Sequence, residues 1–427
     1  MPIKVKVAVV GAGMSGLTAA RILHDSCDVT VFEKSETIGG NAHTCELTHN
    51  GRAFRMDAGV CMFHTLGYPN FYALLGRLNI PTVKSATDVE ILFEGEQTRF
   101  HFDLNSPFIS LMARALSPSQ NHVVRDAFRF YWHVKRSRSS DDAPVTLGEH
   151  LAEHNYSERF RLLLSFVCGS TWTINQRAAC DLPLHFLCNT FESLGFFPTF
   201  RRGCWRHVEG SVNRYLTGLA APLAGKIKAG QSVSKVQRDG ERVKLYFGSQ
   251  CESFEQVIFA ISPEESLKCI VEPTPSEREV LSVFKSESHE ISFHSDTELV
   301  RRWTQDRPAI FAVTDIDDQK MEMGRGFLFL AGFTDITKMC GPSDAPPFYM
   351  WYQFPNGPRP NNLLASFQYS TPLFDAAALR AQNRHSEISG RDRIHFCGSA
   401  WSNGIHEGAV VSALKVTQSF GKDLNAI

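Results

Sequence analysis

The chain has no apolar run approaching the roughly 18 to 20 residues that cross a bilayer, so no transmembrane segment is expected. It has no charge bias either: 44 basic residues face 45 acidic ones across 427 residues, a net charge of −1. That balance gives nucleic acid or an anionic membrane surface nothing to hold. The eleven cysteines are an odd number, scattered without CxxC pairs or zinc-like histidine spacing. A disulfide framework, structural zinc or any other metal site is therefore not expected; reduced thiols in the cytoplasm are. No signal peptide is expected ahead of the first strand, and no repeat or low-complexity tract is visible. Tyrosine is scarce, 9 residues against 32 phenylalanines. The phenylalanines read mostly as core, with some free to line an apolar pocket.

What is present starts at Val5. Residues 5–10 read as a buried strand running into Gly11-Ala12-Gly13-Met14-Ser15-Gly16, followed by an alanine- and leucine-rich helix. A second strand, residues 28–32, ends at Glu33 and Lys34. This is a dinucleotide-binding βαβ unit in its expected context. Gly11 permits the tight turn, Gly13 lets backbone approach a pyrophosphate, and Gly16 lets the helix pack closely on the sheet. The helix N-terminus, with Met14 and Ser15, offers N–H groups and a positive dipole end to phosphates. Glu33 would accept from ribose hydroxyls and repel a 2′-phosphate, which disfavours NADP. No second glycine fingerprint is present, so no separate nicotinamide domain is expected.

The residues after Glu33 separate NAD from FAD. Gly39-Gly40 is followed by Asn41-Ala42-His43-Thr44, and Asp57-Ala58-Gly59 comes next. A second glycine pair and a short Asp-x-Gly turn resemble flavoproteins of the glutathione-reductase-like class, where these loops approach the pyrophosphate and the flavin ring. At the other end, residues 393–398 read as a strand closing on Gly398. A loop then leads to Gly404-Ile405-His406-Glu407-Gly408-Ala409 and an apolar helix. This resembles the flavoprotein closing motif, whose helix dipole stabilises negative charge at the ring. Between them, a helix is expected from Gly210-Ser211-Val212. A backbone contact to adenine is expected near Val233, and a hairpin with strands over 242–247 and 254–260.

Together these stretches, with Trp205 to Ser211, His294-Ser295-Asp296, Ala365 to Asp375 and Cys397 to Trp401, resemble the flavin-containing amine oxidase superfamily. The resembling subgroup is that of predicted NAD/FAD-binding oxidoreductases found near cyclopropane-fatty-acid synthases. Asn41-Ala42 and Ser402-Asn403 depart from its pattern. The resemblance implies an FAD-binding Rossmann-like α/β domain of glutathione-reductase type with an inserted α+β substrate domain. Residues 1–80, 201–265 and 385–427 would form the first, and 81–200 and 266–384 the second. It also implies FAD contacts from Gly11, Gly13, Met14, Ser15, Gly16, Glu33, Lys34, Gly39, Gly40, Asn41, His43, Thr44, Gly59, Val233, Gly398, His406, Glu407 and Ala409.

His406, Glu407 and Trp401 are the candidate catalytic residues. His406 at the helix start would hydrogen-bond flavin or substrate, or relay a proton; Glu407 reads equally as a first-turn acid favouring the helix dipole. Residues 107–134 and 156–168 have helical apolar spacing, and 135–142 is a polar connection. Aromatics gather at Phe191, Phe196, Phe197, Phe200 and Trp205, and again over 348–354. They read as core or as the wall of a pocket for an apolar or aromatic small molecule or lipid. The expected reaction is hydride removal from an unsaturated fatty-acyl or natural-product chain, reoxidation being by O2 or another carrier. Redox-neutral isomerisation or cyclisation, and amine oxidation, are the alternatives.

Overall fold

A computed structural model describes residues 4–59, 61–85, 88–93, 99–103, 105, 121–136, 144–197, 203–298, 313–314, 328–329, 334–335, 345–346, 348–353 and 360–427. Residues 107–120, the 137–142 part of the polar connection, Phe200 and Phe354 lie outside the described residues.

The nucleotide layer is a five-stranded sheet in the order Ile227–Lys228, Cys27–Phe32, Val5–Val10, Gln256–Phe259, Ile394–Phe396. Every neighbouring pair is parallel. In chain order that is 3-2-1-4-5, the doubly wound arrangement whose switch point lies beside the first strand. Both faces are covered, so the strands are apolar throughout rather than alternating. Val7, Val9, Val29, Val31 and Ile258 face a core shared with the helices Met14–Leu23, Asn213–Ala220 and His406–Gln418. Ala8, Val10, Phe32, Val257, Phe259, Ile394 and Phe396 face the opposite core, under the antiparallel strands Lys235–Asp239, Arg242–Phe247 and Gln250–Phe254.

Here one expectation is corrected. Residues 254–260 are not one hairpin strand. The strand pairing with Arg242–Phe247 is Gln250–Phe254, in the register Phe247–Gln250. At Glu255 the chain changes sheets: its amide donates to the Lys6 carbonyl at 2.8 Å, and its carboxylate accepts from the Lys6 amide at 2.8 Å. Residues 256–259 then join the parallel sheet, a tertiary pairing that apolar runs do not disclose.

The second layer joins helices Asn121–Arg136, Leu147–Glu153, Glu158–Trp172 and Leu184–Ser193 to an antiparallel sheet. In that sheet Ser286–His294 lies between Tyr349–Gln353 and Leu363–Pro372. Thr146 and Glu149 close a capping box at the second of these helices. The hairpin Ala42–His49/Arg52–Gly59 sends Cys45, Leu47, Phe54, Met56 and Ala58 into this layer's core. Its glycine ends return to the nucleotide layer, so it stitches the two together. Among the described residues no helix is long and apolar enough to cross a membrane.

Candidate functional site

The first part of the site is built from backbone. Gly11 has φ +104°, and a Cβ there would sit 2.8 Å from Ile261 Cγ2 and 2.9 Å from the Ala260 oxygen. At Gly16 a Cβ would stand 2.0 Å from the Gly11 oxygen, which leaves only glycine. At Gly13 the nearest atoms outside its own turn, on Gly39 and Gly40, would be 3.9 Å away. The helix Met14–Leu23 begins beside this open space with no side-chain cap and no acid in its first turn. Its positive end is therefore free for an anion. The Gly39 amide donates to the Ala12 oxygen at 2.9 Å, so the two glycine turns form one cradle. Met14 and Ser15 are buried and turn their side chains inward, Ser15 bonding the Cys397 thiol.

Glu33 is buried, and each carboxylate oxygen accepts one amide: Ala12 at 2.7 Å and Ser35 at 2.9 Å. Each oxygen keeps a lone pair for a ribose hydroxyl. Lys34 is exposed. Val233 is buried one turn of chain past Gln231, whose amide donates to the Glu33 oxygen at 2.8 Å.

The second part lies where the hairpin, the closing helix and the second layer meet. Gly398, with φ +136°, ends the last parallel strand, and its amide donates to Ser412 Oγ at 3.0 Å. Gln382 Nε2 holds the following loop through the Ala400 and Ser402 oxygens at 2.6 and 2.7 Å. The Trp172 indole donates to the Asn403 oxygen at 2.8 Å. A Cβ on Gly404 would lie 2.5 Å from the Phe374 ring. The helix His406–Gln418, carrying Ala409 in its first turn, has no side-chain cap at Ile405. Beside it, Asn403 Oδ1 is buried with no hydrogen-bond partner.

Several proposed contacts have other tasks. Thr44 donates to Asp57 Oδ1 at 2.7 Å, and both Asp57 oxygens lie 3.0 Å from the Val212 amide. Asp57 therefore fixes the hairpin to the start of helix Asn213–Ala220; burial pushes its carboxyl up to about 6 against those hydrogen bonds. His43 lies against Phe367, burial lowering its pKa below the ordinary histidine value, and His294 lies against Tyr349.

The three candidate catalytic residues are not brought to one point. Glu407 accepts from the Asn70 amide at 3.1 Å, Asn70 Nδ2 at 2.6 Å and the Phe71 amide at 2.9 Å. It thereby caps helix Pro69–Arg77, a distant segment, rather than serving only its own helix dipole. His406 Nε2 is 2.7 Å from the Tyr215 hydroxyl, with Phe71 edge-on at 5.0 Å, and burial lowers it to about 4. Trp401 packs on Phe284 and His385, each at 4.8 Å, in the core under the antiparallel strands. Adjacent helical positions diverge by about 100°, so nearness in sequence at a helix start did not imply convergence.

Tyr68 and Tyr369 escaped the sequence reading. Tyr68 belongs to the nucleotide-side core and Tyr369 to the second layer. They meet near Cys61, and burial pushes both phenols well up, so they are neutral donors. Tyr369 hydrogen-bonds Asn41 and Thr173, and its ring fills the space a Cβ on Gly59 would need. Phe186 stacks between Trp172 at 5.5 Å and Phe374 at 4.9 Å, extending this wall. Only Tyr369, inside a resembling stretch, carried any signal in sequence.

The residues fit FAD. The uncapped helix start and bare Gly13 would receive the diphosphate and Glu33 the ribose, and the second uncapped helix start, beside the Asn403 oxygen that has no partner among the described residues, would receive the polar edge of the ring. The family model for flavin containing amine oxidoreductases matches residues 14–319. Tryptophan 2-monooxygenase of Allorhizobium ampelinum is 30% identical over 166 residues, which is 36% of this chain but only 21% of that protein's length. Among solved structures, the conjugated-linoleic-acid (CLA)-producing fatty acid isomerase of P. acnes superposes with a TM-score of 0.69 at 15% identity, covering 97% of this chain and 99% of that one. Cyclohexylamine oxidase of Brevibacterium oxydans gives 0.61 at 18% identity, covering 98% and 100%. The chain belongs to the flavin-containing amine oxidoreductase family.

Proposed function

We propose that this protein removes hydride from a C–H bond of an apolar, unsaturated acyl or similar natural-product chain. The observation that carries this reading is the neutrality of the wall around the expected ring position. Tyr68, Tyr369, Trp172, Phe186 and Phe374 supply apolar surface with two phenol donors. The nearby carboxylates are both engaged, Asp57 by Val212 and Glu407 by Asn70 and Phe71. His406 is held neutral. Such a wall favours an uncharged chain and gives an ammonium group no free partner among these residues.

Bound FAD supplies the two-electron acceptor. The chain's own residues would bind the apolar substrate and exclude water, with the Tyr68 phenol as the candidate donor to a polar group of the substrate. Desaturation would also release a proton from the neighbouring carbon to solvent, and O2 or another carrier would be the final two-electron acceptor. A second reading is redox-neutral: hydride returns to another carbon and the double bond moves. Its support is the higher TM-score with the fatty acid isomerase, 0.69 against 0.61 for the amine oxidase. We place the enzyme in the cytoplasm, a reading supported by ten described cysteines that are all free.

The test uses the yellow holoprotein with C18 unsaturated fatty acids and, in parallel, with primary amines. Anaerobic bleaching or product formation with the acids, and none with the amines, is expected. O2 uptake with peroxide release identifies oxidation, whereas a shifted double bond without O2 uptake identifies isomerisation. Bleaching by amines alone would overturn the proposal.

A further inference from the structure

We propose that His133, His150 and His154 bind one divalent transition-metal ion, with zinc as the test ion, in the helical part of the second layer. His133 lies in the last turn of helix Asn121–Arg136, His150 in helix Leu147–Glu153, and His154 directly after it. One ligand atom from each lies within 4.8 Å of the other two. The His154 ring centroid is 4.4 Å from that of His133 and 4.3 Å from that of His150. Metal–nitrogen bonds of about 2.0 to 2.1 Å require these nitrogens to draw closer together around the ion.

The surroundings prepare the rings as ligands. A metal takes the neutral imidazole, through the ring nitrogen that keeps its lone pair. His154 Nδ1 is 3.2 Å from the His150 oxygen, so Nδ1 carries the proton and Nε2 is the free lone pair. The Tyr156 hydroxyl is 2.8 Å from His133 Nδ1 and 3.0 Å from His150 Nε2. The hydroxyl carries one proton. It donates to one ring and accepts from the other, and an entering ion claims the lone pair that this proton occupies.

Charge nearby is balanced. The Arg129 guanidinium lies 5.0 Å over the Tyr156 ring but is paired with Asp126 at 2.8 Å. Arg136 adds a cation near His133, and the Glu153 carboxylate, 3.9 Å from His154 Nδ1, adds an anion. Three imidazoles and no thiolate suit zinc, copper or nickel rather than calcium or magnesium. The absence of CxxC pairs gave no hint of this site. The His-x3-His spacing of His150 and His154 was in the sequence, but His133 joins them only through the helix packing.

The site is independent of the flavin chemistry, and its test does not use activity. Holoprotein stripped with a chelator is dialysed against zinc, and metal and flavin are counted per chain. One zinc per flavin is expected, with a Tm rise of roughly 3 °C at a hundredfold excess over Kd. The half-buried positions give the variants: His133→Gln and His154→Gln should each weaken zinc binding by roughly 100-fold while flavin content stays at one per chain. Cobalt substitution reports the ligand set by its visible bands, which both variants should abolish. Stoichiometric zinc binding unchanged in both variants, or no stoichiometric zinc binding at all, would overturn the proposal and leave a hydrogen-bonded histidine cluster around Tyr156.

Discussion

The two ends of the proposed cofactor site, one for the phosphates and one for the ring, are made of different material. At the phosphate end the functional groups are backbone amides and bare glycine positions, drawn mostly from residues 11–16 and 39–40. At the ring end they are side chains from five separated places: Cys61 and Tyr68, Trp172 and Thr173, Phe186, Tyr369 and Phe374, and the loop before the closing helix. A backbone site is specified by spacing, because glycine is needed wherever a Cβ would collide. A side-chain site is specified by which segments meet. The first kind resists any enlargement; the second tolerates changes that keep the wall neutral.

Substitution at the phosphate end should therefore have the largest effect. Gly16→Val would drive a side chain into the Gly11 oxygen, which already lies 2.0 Å from an ideal Cβ. A loss on the order of 4 kcal/mol or more and a colourless product are expected, checked by flavin absorbance and Tm. A yellow, stable variant would break the contrast.

Acid should act on the molecule more broadly. Burial lowers His64, His150, His294, His385, His395 and His406 to about 4, below their ordinary 6.5. Between pH 6.5 and 4 the unfolded chain takes up protons that the folded one refuses, so stability falls as pH falls, by up to about 3 kcal/mol per histidine. Asp57, raised from 3.8 to about 6, acts oppositely, its contribution being lost as pH rises through 6. Six groups outweigh one, so urea midpoints should drop steadily below pH 6.5; a flat profile would contradict the burial of these rings.

At the ring end the effects are smaller and separable. Glu407→Ala leaves the first amides of helix Pro69–Arg77 without their acceptor and should cost about 2 to 3 kcal/mol. Turnover per bound flavin should persist; unchanged Tm with lost turnover would return Glu407 to a catalytic role. His406→Ala tests the proton-relay role in the same way: retained cofactor with normal turnover rules it out, and the Tyr215 hydroxyl left behind should cost about 1 to 3 kcal/mol. Thr44→Val removes one hydrogen bond to Asp57, about 1 kcal/mol, and should move the carboxyl further up, visible as a shift in the pH profile of stability.

The same division governs what was legible. The parallel sheet, the turn at Gly11 and the close packing at Gly16 follow from local pattern. The change of sheet at Glu255 did not, since residues 250–259 carry no mark of which neighbour each half will pair with. Thr44, Glu407 and Trp401 stand beside flavoprotein-like motifs, yet they turn to Asp57, to a helix start and to a remote core.

The sequence by itself determined the nucleotide layer, because glycine spacing and strand hydrophobicity act through contacts between near neighbours and through excluded volume. Only the tertiary structure decided that Tyr68 and Tyr369 share a wall and that Asp57 and Glu407 end helices. It also decided that His133 joins His150 and His154. Those side chains acquire their roles from desolvation and from partners tens to hundreds of residues away, and these exist only once the layers have packed.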